Sequence, residues 1–297
     1  MQVILFGTGA MACLFAVRLA QVAQVILLGT WAEAIAAIRH QGILIEDSQG
    51  SRTIPVQADF LGAHIDAADL VLVLVKSWQT ANVARHLPDY LAPDGTIVTL
   101  QNGLGNIDLL GEKALPGTTA EGATLLGPGH VKAGGRGPTH LVAPTWVVDL
   151  FQRAGFESYR CKPDEAESLI WNKLSVSCGI NALTAILRIP NGELLKNPDT
   201  TELMVQAAME CAAVASAKGI HMISADPAAR VKEVAKNTEY NKSSMLQDIL
   251  RGAPTECDAI NGAVAREGKR LKVATPVNDT LWRLVRAAVF HSGSNLK

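Results

Sequence analysis

The chain opens with an apolar run, Gln2-Val-Ile-Leu-Phe6, that passes directly into Gly7-Thr8-Gly9-Ala10-Met11-Ala12 and then into a helical pattern. A Gly-x-Gly-x-x-Ala turn between strand and helix constrains the fold more than any other feature. Gly7 permits the tight turn, Gly9 lets the backbone approach an anion, and Ala12 is small enough for the helix to pack on the strand. The free amides and positive dipole end of that helix attract negative charge. Gly7, Thr8, Gly9, Ala10, Met11 and Ala12 therefore form the candidate cradle for the pyrophosphate of a dinucleotide. The alternative is an ordinary βα turn, because glycine turns are common; the preceding strand favours the cradle.

The first half continues the alternation. Helical spacing runs from Ala10 to about Ala23, and Val25–Leu28 reads as a strand. Glu33–His40 gives a helical turn or two, and Gly42–Glu46 and Thr53–Val56 give short strands, paired as a hairpin. Asp69–Val75 and Gly95–Leu100 are continuous apolar, β-rich runs, which suit parallel strands covered on both faces. Residues 122–145 are rich in glycine and proline and predict short strands and turns. From about Glu165 the texture becomes helical: Glu165–Ile186, Thr200–Lys218, Pro227–Thr238, Thr255–Arg270 and Asn278–Phe290. The fold class expected is α/β, with a Rossmann-type dinucleotide-binding domain over 1–160 and an all-helical domain over 161–297.

Bulk properties exclude several classes. The 297 residues suffice for two domains, and 48% hydrophobic with 19% charged residues is ordinary for a globular protein. A net charge of -1 gives no reason to expect nucleic acid or an anionic membrane as partner. No apolar run is long enough to span a bilayer, and no basic segment precedes the N-terminal apolar stretch as a signal peptide would require. The cysteines, Cys13, Cys161, Cys178, Cys211 and Cys257, are odd in number and scattered, which suits reduced thiols in a cytoplasmic protein and no metal site. The seven histidines form no close ligand cluster, so a metal-dependent hydrolase has little support. Amphipathic helices allow a homodimer but serve monomer cores equally.

Several polar residues stand where packing does not demand them. At the end of the second strand, where NAD-binding sites usually carry an acid for the ribose, the chain reads Leu28-Gly29-Thr30-Trp31. The missing carboxylate removes repulsion against a 2′-phosphate, Thr30 could donate to it, and Trp31 could stack on adenine or simply pack. These features point to NADP, with NAD as the alternative. Lys76 and Asn102 each follow an apolar strand, at the carboxyl ends where open α/β sheets bind ligands. Lys76 could reach a phosphate or carboxylate as a point charge. Asn102 could bind the nicotinamide ribose or amide, or belong to a plain Asn-Gly turn. Lys173, Ser177 and Asn181 are four apart in turn and share one side of a helix, and periodicity alone favours a solvated face for them. Thr255 reads as an N-cap with Asp258 at N3 and Glu256 in the first turn, a structural role that accounts for all three.

Together these segments resemble the ketopantoate reductase family. The resemblance covers nearly the whole chain: the glycine motif, Val75-Lys76-Ser-Trp-Gln, Gln101-Asn102-Gly103-x-Gly105, Gly122-Ala-Thr-x-x-Gly127-Pro-Gly129, Trp171-x-Lys173-Leu and Ile180-Asn181-x-Leu-Thr184. It continues through Pro190-Asn191-Gly192-Glu193, Ser243-Ser244-Met-Leu-Gln-Asp248 and Thr255-Glu256-x-Asp258-x-Ile-Asn261-Gly262. The resemblance implies a Rossmann domain, a helical domain carrying substrate and catalysis, and a cleft between them. It implies reduction of ketopantoate (2-dehydropantoate) to (R)-pantoate with NADPH, on the way to pantothenate and coenzyme A. The family's catalytic lysine and glutamate fall on Lys173 and Glu256, and its substrate contacts on Asn181 and Ser244. Lys76 and Asn102 match its cleft lysine and asparagine.

Two departures shift the expectations. Ser177 stands where the family usually has a second asparagine, still a candidate substrate contact but a shorter one. Gly29-Thr30-Trp31 lacks the arginine many relatives carry for the 2′-phosphate. The competing readings are a paralogous reductase of another branched or bulky 2-keto acid, and a non-catalytic NADP-binding sensor. The sensor would need the glycine turn but not Lys173 and Glu256 in register with Asn181 and Ser244.

Overall fold

A computed structural model describes residues 1–294. The chain divides into two compact units, residues 1–101 with 106–166, and residues 102–105 with 167 onward. The division passes inside a long helix after Ala166, rather than at residue 160.

The first unit runs β1 (Gln2–Phe6), α1 (Ala10–Leu19), β2 (Gln24–Gly29), α2 (Ala32–Gln41), β3 (Ile43–Asp47), β4 (Gly50–Ile54), β5 (Gln57–Phe60) and β6 (Ala68–Val73). It continues α3 (Thr80–Tyr90), β7 (Leu91–Thr99), α4 (Asn106–Leu110), β8 (Ala114–Thr119), β9 (Ala123–Gly127), β10 (His130–Ala133), β11 (Thr139–Leu141), α5 (Thr145–Arg153) and β12 (Ser158–Arg160). Eight strands make one sheet in the order β12-β11-β8-β7-β6-β1-β2-β5. The pairs from β8 through to β5 are all parallel. Strand order reverses at β1, which lies between β2 and β6, so the crevice for a ligand lies beyond the carboxyl ends of β1 and β6.

The apolar strands explain themselves by alternation. Val3, Leu5, Leu27, Leu70, Leu72 and Val98 are buried on one face with Phe15 of α1 and Phe151 of α5. Ile4, Phe6, Ile26, Leu28, Val71, Val73 and Ile97 are buried on the other with Val83 and Leu87 of α3. A sheet covered on both faces has no wet side, hence the unbroken apolar runs. A second, four-stranded sheet, β4-β3-β10-β9, contains the expected hairpin, β3 pairing antiparallel with β4.

The second unit is helical: α6 (Pro163–Leu187), which begins in the first, then α7 (Pro198–Ala217), α8 (Pro227–Asn237), α9 (Ser244–Leu250), α10 (Asn261–Leu271) and α11 (Pro276–Ser294). Its core gathers Trp171, Leu174, Cys178 and Leu183 of α6 with Met204, Ala208 and Cys211 of α7 and Val264, Leu281 and Val285 beyond. No described helix is long and apolar enough to cross a membrane.

The helix expected over Thr255–Arg270 starts later, at Asn261, and Thr255 does not cap it. The capping reading fails because Asp258 is used elsewhere: its Oδ1 accepts from Trp282 Nε1 at 2.8 Å and its carbonyl from Arg266 Nη2 at 2.7 Å. Residues 256–260 instead form successive turns, with the amides of Ala259 and Ile260 both donating to the Glu256 carbonyl.

Gly179 sets how closely α6 and α7 cross. A Cβ there would lie 2.6 Å from the Met204 carbonyl oxygen and 2.8 Å from Val231 Cγ2. The carbonyl belongs to a helix backbone and cannot turn aside. Gly179→Ala should therefore destabilise the protein by ~1–3 kcal/mol through overpacking, read as a lower urea midpoint at unchanged slope.

Candidate functional site

In the first unit the glycine turn is built by two different demands. Gly7 has φ +126°, and a Cβ there would approach Leu74 C and O to 3.3 Å and Ala12 Cβ to 3.4 Å. Its amide donates to the Leu28 carbonyl at 2.7 Å, drawing the turn against the end of β2. Conformation and packing thus both require glycine at 7. Gly9 differs. It has ordinary extended backbone at the N-cap of α1, with no side-chain cap and no acid in the first turn. A Cβ on Gly9 would meet no protein atom within 4 Å. The room beside the first amides of α1 would be filled by any side chain at 9. The residues present therefore fit an anion held by those amides.

Thr8, between the two glycines, is buried, and it explains Gly29 at the end of β2: a Cβ on Gly29 would lie 2.8 Å from Thr8 Cγ2. Met11 and Ala10 are half-buried at the start of α1, and Ala12 is fully buried behind it. Cys13 follows; burial pushes its thiol up to about 12, and its sulfur contacts the Thr8 carbonyl at 3.6 Å, a packing role rather than a reactive one. Thr30 is exposed and its Oγ1 accepts from Gln79 Nε2 at 3.4 Å, while half-buried Trp31 stands at the N-cap of α2. Arg39, the first arginine after β2, is already engaged: its Nε donates to the Ala58 carbonyl at 2.8 Å and its guanidinium pairs with Asp59.

Lys76 is half-buried just past β6, two residues from the Leu74 backbone against which Gly7 packs. Its loop is held by residues that sequence reasoning gave no role. Gln101 Nε2 donates to the Val75 carbonyl and to Thr80 Oγ1, both at 2.8 Å, and Thr80 Oγ1 donates to Asn106 Oδ1 at 2.9 Å. The glycine turn, Lys76 and Thr30 are therefore brought together around the ends of β1, β2 and β6.

In the second unit, Lys173, Ser177 and Asn181 are each half-buried along α6, so the polar stripe is not the solvated face that periodicity favoured. Leu174, Cys178 and Ile180 beside it face the core. Removal from water pushes the Lys173 ammonium down to about 8, and the charge of Glu256 acts in the opposite sense. Glu256 itself is 4% exposed and, with the helix starting at Asn261, lies before its first turn rather than in it. The structure thus brings Lys173 and Glu256 into electrostatic partnership although 83 positions separate them in the chain.

Ser243 and Ser244 divide their tasks. Ser243 Oγ caps α9 by accepting from Leu246 N at 3.1 Å and accepts from Thr184 Oγ1 of α6 at 2.7 Å. The same Thr184 Oγ1 lies 2.8 Å from the Ile180 carbonyl and 3.1 Å from the Asn181 carbonyl, alternative acceptors for its one proton. This tie anchors the start of α9 at the Asn181 turn of α6 and leaves Ser244 exposed at the first helical position. Asn102 is half-buried in the short segment 102–105, which is docked on the Glu256 turn: Leu104 N donates to the Ala259 carbonyl at 2.9 Å. Gly103, at φ +80°, is required there, because a Cβ would lie 2.4 Å from that same carbonyl oxygen. Among the described residues no group of three or more His, Cys, Asp or Glu is placed to hold a metal ion.

Comparison with known proteins agrees along the whole chain. The family model "Ketopantoate reductase PanE/ApbA" matches residues 3–145 and its C-terminal counterpart matches residues 165–289. A 2-dehydropantoate 2-reductase from Halobacterium salinarum is 35% identical, covering 97% of this chain and 99% of its own. Its counterpart from Pyrococcus horikoshii is 32% identical, covering 97% of each. Among solved structures, a PanE/ApbA family ketopantoate reductase from Ralstonia eutropha superposes with a TM-score of 0.91 at 30% identity over 99% of this chain and all of the other. D-mandelate dehydrogenase bound to NADH and anilino(oxo)acetate superposes with a TM-score of 0.93 at 26% identity, again over 99% of this chain and all of the other. With two family models spanning both units and relatives matched end to end, this chain belongs to the ketopantoate reductase family.

Proposed function

We propose that the protein is an oxidoreductase that reduces 2-dehydropantoate to (R)-pantoate with NADPH, a step towards pantothenate and coenzyme A. The observation that carries this reading is the half-buried Lys173 ammonium electrostatically partnered by buried Glu256. The names of the end-to-end relatives, 2-dehydropantoate 2-reductases, supply the substrate.

The first unit is assigned the dinucleotide, with the amides at the start of α1 for the pyrophosphate and Thr30 for the adenosine end. Absence of a carboxylate at Thr30 favours a 2′-phosphate over bare ribose hydroxyls. Lys76 and Asn102 serve as polar anchors for cofactor or substrate. When bound there, the dinucleotide would supply hydride for reduction of the substrate's carbonyl. The second unit supplies the rest. As the carbonyl oxygen gains negative charge, the Lys173 Nζ stabilises it by hydrogen bonding and then delivers its proton, completing the alcohol. Glu256 favours the charged form of Lys173 and aims it. Ser244, Asn181 and Ser177 act as neutral hydrogen-bond partners for the substrate's carboxylate and hydroxyl.

The test is NADPH and NADH oxidation across a panel of 2-keto acids. The highest kcat/KM is expected for ketopantoate with NADPH. A second reading, a reductase of a bulkier 2-keto acid using NADH, draws on the likeness to the NADH-bound D-mandelate dehydrogenase and on the shorter Ser177. It predicts the reverse preference in the same panel. A non-catalytic sensor would bind NADPH and oxidise it with none of the acids.

Two measurements check the chemistry. Lys173→Ala should lower kcat at least about a hundredfold, the scale of a lost general acid, while circular dichroism stays native. Because the working form of Lys173 is protonated, kcat for reduction should hold below pH 8 and fall as pH rises through its pKa of about 8. A kcat that stays level to pH 10 would remove this lysine from proton delivery.

A further inference from the structure

Asn261 is fully buried at the first position of α10, yet its side chain is not needed as a cap. Its Nδ2 donates twice, to the Cys178 carbonyl of α6 at 3.1 Å and to Asn278 Oδ1 of α11 at 3.0 Å. Among the described residues its Oδ1 is buried without a hydrogen-bond partner. With both amide hydrogens committed, the oxygen meets no donor among the described residues. A buried acceptor left unsatisfied costs desolvation without return, and an apolar side chain would avoid that cost. The amide is retained for what its two donors do.

What they do is join two pieces of backbone. Asn278 extends the chain of bonds, its Nδ2 donating to the Ala207 carbonyl at 2.9 Å and to Glu210 Oε2 at 2.8 Å. Glu210 in turn accepts from the amides of Val277 and Asn278 at 2.8 and 2.9 Å, capping α11. This part of the network serves the bundle. The bond to Cys178 serves something narrower. Cys178 lies on the same helix as Lys173, little more than a turn further on. Asn261 is connected to Glu256 by wound turns: Ala259 N and Ile260 N to the Glu256 carbonyl, and Gly262 N to the Cys257 carbonyl at 2.9 Å. The helix on one side and the turn on the other pack in one core, and this is the hydrogen bond that ties their backbones.

We infer that Asn261 is a positioning residue for the reaction: its bond to the Cys178 carbonyl fixes the Glu256 turn against α6 and so sets the distance from Glu256 to Lys173. This inference rests on the roles given above to Lys173 and Glu256. The charge of Glu256 registers at Lys173, so loosening the turn that carries Glu256 acts on Lys173.

The experiment measures kcat against pH, with thermal melting alongside, for wild type, Asn261→Ala, Asn261→Leu and Asn278→Ala. Leucine fills the volume of the amide and keeps a folded protein within the series. Both Asn261 variants should move the alkaline limb of kcat from about 8 to lower pH, by roughly one unit, because a lysine loses the carboxylate that favours its charge. Asn278→Ala should melt lower with the limb unmoved, since the bond from Asn261 to Cys178 survives. A limb unmoved in both Asn261 variants, or shifted equally in Asn278→Ala, overturns the inference. Lys173→Ala, assayed in parallel, separates the failures: retained activity there discards the catalytic reading itself, whereas loss of activity with an unmoved limb discards only the role of Asn261.

Discussion

A lysine ammonium taken out of water must be given a carboxylate or surrender its proton, and the helical unit is organised around that demand. Burial drives Lys173 towards the neutral amine while Glu256 pulls it back, leaving its ammonium lowered to about 8. That balance is what a proton donor at physiological pH needs: too little burial leaves an acid too weak to give up its proton, and too little carboxylate leaves no proton to give. The pair is costly to hold. It uses a long helix to carry the amine and a turn, rather than a helix, to carry the carboxylate.

The first unit meets a different constraint. Its sheet is apolar on both faces, so polar chemistry is confined to the strand ends. At those ends the side chains are small or absent. Gly7 yields to the backbone of Leu74, Gly29 to Thr8, and Gly9 to no protein atom at all. The first two glycines are required by the protein's own packing; the third leaves open room beside the N-terminus of α1.

Much of this was legible in the sequence because it is local. The strand, glycine turn and helix at the N-terminus follow from a dozen consecutive residues, and the apolar runs at 69–75 and 95–100 announce a doubly covered sheet. What was not legible depends on partners distant in the chain. Thr255 and Asp258 carry the spacing of a capping box, but Trp282 and Arg266 claim Asp258, and the helix starts at Asn261. The stripe Lys173, Ser177, Asn181 has the periodicity of a wet face, and only packing from elsewhere half-buries it. The pairing of Arg39 with Asp59 likewise joins residues of different elements. The network of Cys178, Glu210, Asn261 and Asn278 draws on four helices and leaves no trace in any one window of sequence.

The packing of Thr8 on Gly29 bears on how such a protein evolves. Position 29 is closed to any side chain, acidic or basic, by a contact internal to the fold, whereas the neighbouring Thr30 faces solvent and is free of core packing. On the proposed assignment of the glycine turn to the diphosphate, discrimination between the two forms of the dinucleotide would drift at one outward-facing codon while the turn itself stays frozen.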